Sequence, residues 1–198
     1  RREAGESQRD ALGKFRSEIA AAYARERSRR RQLATTPDEL WSRASQGDPR
    51  LWERRRDHED FLEIPLGAGC VSWEVELRGA PTPQVNAVLG DYREIHDVPV
   101  TVRLDPGRVT GIAGSRSERL ALARQILLQA AVHQGPADLA ISVFTDNPAD
   151  WDWAKWLPHV IIDGSVRRRL AGSDEETAAL VATLPQGEPA PEAPQHLL

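Results

Sequence analysis

The sequence predicts an α/β fold, in which a long N-terminal helix precedes a domain with a mostly parallel sheet. Apolar residues keep approximate helical spacing over residues 7–33. Further along, an apolar run reaches Gly111 and Gly114, a helical pattern covers Glu118 to His133, and the buried run "GPADLAISVFTD" follows. Strand, glycine turn, helix and strand at this spacing form a βαβ unit, whose crossover connection favours parallel strands.

The N-terminal helix has a narrow apolar stripe, which is typical of a stalk or a paired helix rather than of a core helix. Its stretch "RERSRRR" could contact anionic lipid or nucleic acid, or could be a solvated helix end. Residues 1–31 contain ten Lys or Arg and five acidic residues, whereas residues 171–198 contain five acids and no Lys or Arg. The two ends therefore have opposite charge, although the whole chain carries only -4.

The elements between the first helix and the glycine turn are shorter. Thr36 is a suitable N-cap for a helix that begins with Pro37 and ends near Gly47. Alternation in "CVSWEVELRG" predicts a strand with Val71, Trp73, Val75 and Leu77 on one face. The stretch "QVNAVLGDYREI" fits a strand with a turn or a short helix. "VPVTVRLDPGRVTGIAG" predicts two strands joined at "DPG".

Three features describe the chain as a whole. Cys70 is the single cysteine among 198 residues, so no internal disulfide can form and a reducing compartment is expected. No apolar run is long enough to span a bilayer. The proline-rich stretch "PQGEPAPEAPQ" predicts a flexible loop or linker, and the charged start and the strand-like end "PQHLL" indicate a fragment of a longer chain.

The glycine turn resembles a phosphate-binding loop but lacks the residues that such a loop uses. The working pattern is G-x-x-x-x-G-K-[ST], and neither Gly111 nor Gly114 as its first residue places Lys before Ser or Thr. Counting from Gly111 places Glu118 where the magnesium-holding hydroxyl belongs. Any residual anion binding would use the turn and its helix start, which comprise Gly111, Gly114, Ser115, Arg116 and Ser117, with Arg119 nearby. We predict no catalysis there, with weak phosphate binding as the alternative.

No other pattern predicts chemistry. The histidines are scattered without metal-ligand spacing, Cys70 has no supporting Cys–His context, and the acids of "DHEDF" have no partner base, so neither a catalytic nor a metal site is expected. The densest aromatic segment is "NPADWDWAKWLPHV". If it is helical, Trp153, Trp156 and Leu157 share a face and Trp151 points elsewhere. These rings and Trp52 are expected to pack within the domain or to anchor an interface.

Two tryptophan motifs together resemble a known family. "LWERRRDHEDFLEIPLGAG", followed far downstream by "DWDWAKWLPHV", is similar to the EccC/EssC membrane ATPases of type VII secretion, relatives of the FtsK/SpoIIIE translocases. The similarity covers nearly the whole chain and matches the cytoplasmic region before the first full ATPase domain. His58 departs from the pattern, where a proline is more usual, and "HVIIDGSV" has no clear counterpart.

The resemblance implies a membrane-proximal helical stalk over 1–50 and a degenerate P-loop ATPase-like domain over 51–198, cut before its sheet is complete. It implies no cofactor in this part of the protein, with ATP and magnesium bound by domains downstream. The implied partners are other secretion-system membrane subunits, the protein's own ATPase domains and further copies of itself, at the cytoplasmic face of a bacterial plasma membrane. No nucleic acid is expected, although an FtsK-like DNA translocase and a weak nucleotide-binding domain are the alternatives.

Overall fold

The computed structural model describes residues 2–77, 79–162, 167–185 and 193–198. The α-helices are α1 (Arg2–Gln32), α2 (Pro37–Gln46), α3 (Pro83–Gly90), α4 (Arg116–His133) and α5 (Asp174–Val181). The strands are β1 (Glu63–Ser72), β2 (Glu94–Arg103), β3 (Leu139–Ile141), β4 (Val143–Phe144), β5 (Leu170–Ala171) and β6 (Gln195–Leu197). This mixture of helices with short parallel sheets confirms the predicted α/β class.

The contacts divide the chain into two compact units, Arg1–Thr35 with Pro65–Val102, and Thr36–Ile64 with Arg103–Leu198. This division differs from the predicted boundary at residue 50, which concerns the stalk and the ATPase-like module of the family and stays a prediction. No helix in the described ranges is both long enough and apolar enough to cross a membrane.

In the first unit, helix α1 packs against other elements through its second half. The helix predicted over 7–33 is confirmed. Ile19 is buried, and the Tyr23 ring meets the rings of Trp73 and Tyr92 edge to face, with centroids 5.5 and 5.3 Å apart. The narrow apolar stripe therefore marks the face of a helix that packs against α3 and against residues that flank a small sheet.

That small sheet consists of β1 and β2, and its boundaries correct the prediction for residues 70–77. Strand β1 starts at Glu63 and ends at Ser72, so Trp73–Leu77 lie beyond it, although their exposure still alternates as predicted. The alternation reports which side chains are shielded, whereas a strand also needs a partner for its backbone. The undecided stretch before β2 is helical, because Thr82 caps a helix that begins at Pro83.

In the second unit, the strand predicted after "DPG" is absent. Residues 108–113 form no ladder with any described strand, and the Val109 side chain is 99% exposed. The predicted βαβ unit therefore lacks its first strand. Parallel pairing occurs elsewhere, because β3 pairs with β6 and β4 pairs with β5. The strand expected at "HLL" is thus confirmed, in register with Leu139–Ile141.

The core of the second unit lies between α4 and strands β3 and β4. Helix α4 is confirmed, and its C-terminal half is buried almost all round, including Gln129 and His133. Leu139 and Ile141 of β3 are fully buried, and Ser142 interrupts the predicted strand between β3 and β4. Thr36 caps α2 with a reciprocal bond to Glu39, and Gly47 adopts φ 65° after its last turn, both as predicted. Most of the predicted proline-rich linker lies outside the described residues.

Candidate functional site

The glycine turn ends in a capping box that fills the start of α4. Ser115 is the N-cap, and its hydroxyl accepts a hydrogen bond from the Glu118 amide. The Glu118 carboxylate accepts hydrogen bonds from the Ser115 amide at 2.9 Å and from the Ser115 hydroxyl at 2.6 Å. These bonds lower the pKa of Glu118, so the carboxylate is ionised at neutral pH. A negative charge of the protein itself therefore lies at the helix N-terminus, where a phosphate would bind.

The arginines beside the turn also have partners within the unit. The Arg116 guanidinium forms an ion pair with the Asp150 carboxylate. Arg124 donates to the Asp150 carbonyl oxygen at 2.8 Å and lies 3.5 Å from its carboxylate. Arg119 is exposed and forms no ion pair with any described residue. The turn comprises Gly111, Gly114, Ser115, Arg116 and Ser117, and its anion-binding groups contact Glu118 and Asp150.

The opposite end of α4 is held by the first tryptophan motif. The last four carbonyls of a helix lack partners within it. Here, the Gln134 amide donates to the Ala130 carbonyl, and the Trp52 indole donates to the Ala131 carbonyl at 3.1 Å. The Trp52 amide donates to the Val132 carbonyl at 3.0 Å, and the Arg54 amide donates to the His133 carbonyl at 3.0 Å. We call Trp52–Arg54 together with the last turn of α4 the α4 clamp.

Buried charges surround the α4 clamp. The Arg54 side chain is buried, forms an ion pair with Asp60 at 3.0 Å and donates to the Glu63 carbonyl at 2.9 Å. Arg43 of α2 reaches Glu53 at 2.9 Å and the Nδ1 atom of His133 at 3.2 Å. Since removing one member of a buried charged network leaves the others unpaired, these contacts fix the orientation of the motif on the helix.

The second tryptophan motif reaches the same end of α4. His159 is buried and its Nε2 atom lies 2.8 Å from the carbonyl oxygen of Gln134. The Trp52 ring meets the His159 ring edge to face, with centroids 6.3 Å apart. The spacing of the two motifs in the sequence gives no reason for their joint occurrence. The structure supplies one, because both motifs contact the C-terminal turn of one helix.

The three clustered tryptophans have different environments. The segment forms 3-10 turns at Pro148–Asp150, Asp152–Trp156 and Pro158–Val160 rather than one α-helix, which corrects the expected shared face. Trp151 and Trp153 are half-buried with ring centroids 6.1 Å apart. Trp156 is 80% exposed and its ring carries the Lys155 ammonium 5.6 Å from the centroid. Packing therefore accounts for two rings, and Trp156 remains at the surface.

A cavity of about 600 Å³ lies between α4, the residues that follow β2 and the strands β3, β4 and β6. Its walls are mostly apolar and include Ile126, Ile141 and Trp151, with Ser142 and His196 among the polar groups. Residues 108–112, which were predicted to form a strand, contribute to its wall. Its position agrees with a gap in the sheet of this unit, and the lining offers no cluster of cations for a triphosphate.

His133 links the stability of the clamp to pH. Burial, followed by the charges of Arg54 and Arg43, lowers its pKa from 6.5 to about 3. Between these values the unfolded chain binds a proton that the folded chain does not, so stability is full above pH 6.5 and falls as pH decreases. Between pH 7 and 5.5, this histidine is expected to cost the wild type about 1 kcal/mol of unfolding free energy.

Urea unfolding of the wild type and of His133→Gln at both pH values measures this loss. The variant is expected to lose about 1 kcal/mol less between the two pH values than the wild type does. His58→Gln is the matched control, because it replaces a histidine whose side chain is exposed. Equal pH dependence in all three proteins would contradict the assignment of this effect to His133.

The fold and the two ends of α4 define the class of this chain, which is an α/β segment with a helix after a glycine turn. The start of that helix is capped by its own Glu118 carboxylate. Its other end is held by a tryptophan motif. The chain matches no protein-family model. Individual proteins, however, are similar to the chain in sequence.

The relatives are EccC proteins of ESX secretion systems. EccC4 of the ESX-4 system of Mycobacterium tuberculosis is 34% identical over 62% of this chain. EccC3 of the ESX-3 system of the same species is 28% identical over 94% of it, and an EccC protein of Thermomonospora curvata is 28% identical over 75%. The predicted resemblance is confirmed, and the chain is EccC-like in sequence. It spans only 11 to 16% of the length of these relatives.

Proposed function

We propose that the chain is a non-catalytic module of a type VII secretion ATPase of the EccC type, which couples the membrane channel to the motor domains of the protein. The similar proteins are named as components of ESX secretion systems. The observation that carries the proposal is the Glu118 carboxylate, which occupies the start of α4. Phosphoryl transfer needs positioned cations at that place, and this carboxylate repels the phosphate that the cations would hold.

The geometry of the turn supports each part of the non-catalytic role. The Ser115 hydroxyl contacts a carboxylate, so it is not oriented toward a metal ion. The Arg116 guanidinium contacts Asp150, so a phosphate would have to break that ion pair before binding. No lysine lies in the turn or in α4. An incoming anion therefore meets two carboxylates, and of Arg116 and Arg119 only Arg119 has no carboxylate partner among the described residues.

The way in which α4 is held supports the coupling role. The capping box and the Asp150 ion pairs hold its first half, and the α4 clamp satisfies the carbonyls of its last turn. A helix held at both ends and packed along its length moves as a rigid body, since packed interiors transmit displacement with little compression. Exposed Trp156 offers an apolar surface, and exposed aromatic rings are frequent anchors in protein interfaces.

The wider setting extends the same proposal. ATP and magnesium would bind to motor domains elsewhere in a longer protein, and the partners would be secretion-system membrane subunits, those motor domains and further copies of the protein. The module would work at the cytoplasmic face of the plasma membrane.

The arginine-rich end of α1 supports a protein role over a DNA-translocating one. Glu26 accepts hydrogen bonds from Arg29 at 2.9 Å and from Arg30 at 2.6 Å. Arg27 forms an ion pair with Asp97 at 3.5 Å, and Arg31 donates to the Asp97 carbonyl at 3.2 Å. Guanidinium groups that already have acidic or carbonyl partners contribute less to binding a phosphate backbone.

The proposal is tested in the full-length secretion protein by measuring ATP hydrolysis and substrate export for two variants. The double variant Arg116→Ala with Arg119→Ala removes both cations beside the turn and is expected to leave the rate of hydrolysis unchanged. Trp156→Ala is expected to leave hydrolysis unchanged and to reduce export at least about threefold, which corresponds to a loss of about 0.7 kcal/mol of interface free energy. Trp41→Ala is the control, since Trp41 is similarly exposed at 74%.

Two outcomes would contradict the proposal. Loss of hydrolysis in the double arginine variant would assign a catalytic or nucleotide-binding role to the turn. Full export by Trp156→Ala, or an equal loss in Trp41→Ala, would remove Trp156 from the coupling surface. Urea unfolding of each variant distinguishes these effects from loss of the fold, because both tryptophans are exposed and their replacement is expected to change stability by less than about 0.5 kcal/mol.

A further inference from the structure

Strands β1 and β2 bring together three side chains of the kinds that bind transition metals. The Cys70 sulfur, a Glu94 carboxylate oxygen and a His96 ring nitrogen all lie within 4.8 Å of one another. The Cys70 thiol donates a hydrogen bond to Glu94 at 3.2 Å. The three residues are exposed and belong to the first unit, whereas the glycine turn and the α4 clamp belong to the second.

The backbone around this cluster is well fixed. Glu94 and His96 alternate along β2, so their side chains lie on the same face of the strand. The Trp73 amide donates to the Arg93 carbonyl at 2.7 Å and the Tyr23 hydroxyl donates to the Glu94 carbonyl at 3.2 Å. Next to Cys70, a side chain at Gly69 would meet Val100 at 2.8 Å, so glycine permits the close approach of the two strands there.

The chemistry of the three groups fits zinc better than other common ions. A thiolate, an imidazole and a carboxylate are the ligands of tetrahedral zinc sites, whereas calcium and magnesium prefer oxygen ligands alone. In a tetrahedral site with metal–ligand distances of about 2.0 to 2.3 Å, ligand atoms are about 3.3 to 3.7 Å apart. Because the three side chains are exposed, rotation about their side-chain bonds can shorten the distances between the ligand atoms from within 4.8 Å to this range without moving the strands.

We propose that Cys70, Glu94 and His96 form a zinc-binding site on the β1–β2 sheet, with water as the fourth ligand. The thiol proton that now points to Glu94 leaves to solvent on binding, and the thiolate and the carboxylate then balance the charge of the ion. Such a site would join β1 to β2 through side chains in addition to their backbone pairing. It is independent of the proposed secretion role.

Titration of the chain with cobalt, a spectroscopic substitute for zinc, tests the site. The wild type is expected to develop the near-ultraviolet band of a cobalt-bound thiolate with visible bands of tetrahedral cobalt, and one equivalent of zinc is expected to abolish both. Cys70→Ser is expected to lose the thiolate band. Glu94→Gln and His96→Gln are expected to bind cobalt at least about tenfold more weakly.

Exposed His58 again provides the matched control, because His58→Gln is expected to keep the wild-type spectrum and affinity. Far-ultraviolet circular dichroism confirms that the variants fold, since all three ligands are exposed and replacing them removes no core contact. The site is contradicted if the wild type shows no thiolate band, or if Glu94→Gln and His96→Gln both bind cobalt with wild-type affinity, as a solitary exposed thiol would.

Discussion

Replacing Arg54 by alanine is expected to lower the free energy of unfolding by about 3 kcal/mol. The Arg54 side chain is only 6% exposed, and its guanidinium pairs with Asp60 and donates to the Glu63 carbonyl. Breaking a buried ion pair by removing one partner costs about 3 to 5 kcal/mol. The lower end of this range applies here because Asp60 is 36% exposed and can regain water.

Arg50→Ala is the matched control for Arg54→Ala. Arg50 also pairs with a carboxylate, Asp48, at 2.9 Å, but its side chain is 53% exposed, so its loss is expected to destabilise the fold far less than the loss of Arg54. Urea unfolding at neutral pH, followed by tryptophan fluorescence and circular dichroism, measures both variants. A similar small effect for the two arginines would show that the buried network around the α4 clamp does not hold the motif in place.

Burial distinguishes Arg54 from the neighbouring arginines of the first tryptophan motif. In "LWERRR", Arg54, Arg55 and Arg56 are adjacent and chemically identical, yet only Arg54 is buried. Arg55 pairs with Asp138 from a half-exposed position. A sequence pattern gives each arginine the same weight, whereas the backbone bond from Arg54 to His133 places that side chain alone inside the unit.

Local signals in the sequence predicted the helices well. Thr36, Pro37 and Gly47 define α2 because caps, proline and glycine act within one or two turns of the chain. Ser115 and Glu118 also have the spacing that defines a capping box, which the phosphate-loop pattern does not include. Alignment with a phosphate-binding loop places Glu118 at the metal-holding position. The capping-box spacing explains instead the contacts that Glu118 makes.

Contacts between distant residues were beyond the reach of spacing arguments. The strand predicted at 108–113 has strand-like composition, but composition does not reveal whether a partner strand is present. Cys70 and His96 are 26 positions apart in the sequence, and only the pairing of β1 with β2 makes them neighbours. The meeting of Trp52 and His159 is likewise a property of the tertiary fold.

Trp52→Ala is expected to lower the free energy of unfolding by about 2 kcal/mol. The indole packs beside Gly135, where a Cβ atom would lie 3.4 Å from the Trp52 Cβ atom, and it donates to the Ala131 carbonyl. Tryptophan removal from a full core costs about 3 to 5 kcal/mol, and the smaller value follows because Trp52 is 37% exposed. Trp41→Ala is the control, since Trp41 is 74% exposed and its loss is expected to change stability by less than about 0.5 kcal/mol.

A glycine variant separates the side chain of Trp52 from its backbone. Trp52 has φ 61°, a left-handed conformation that costs a residue with a side chain about 1 kcal/mol and costs glycine little. Trp52→Gly is therefore expected to be more stable than Trp52→Ala by up to about 1 kcal/mol, although glycine usually destabilises. A Trp52→Ala variant more stable than Trp52→Gly would contradict this expectation, because the left-handed backbone at residue 52 would then not be required for the α4 clamp. The effect of Trp52 on stability would then come from its ring contacts alone. Its amide would have to keep the hydrogen bond to the Val132 carbonyl at a different φ of residue 52.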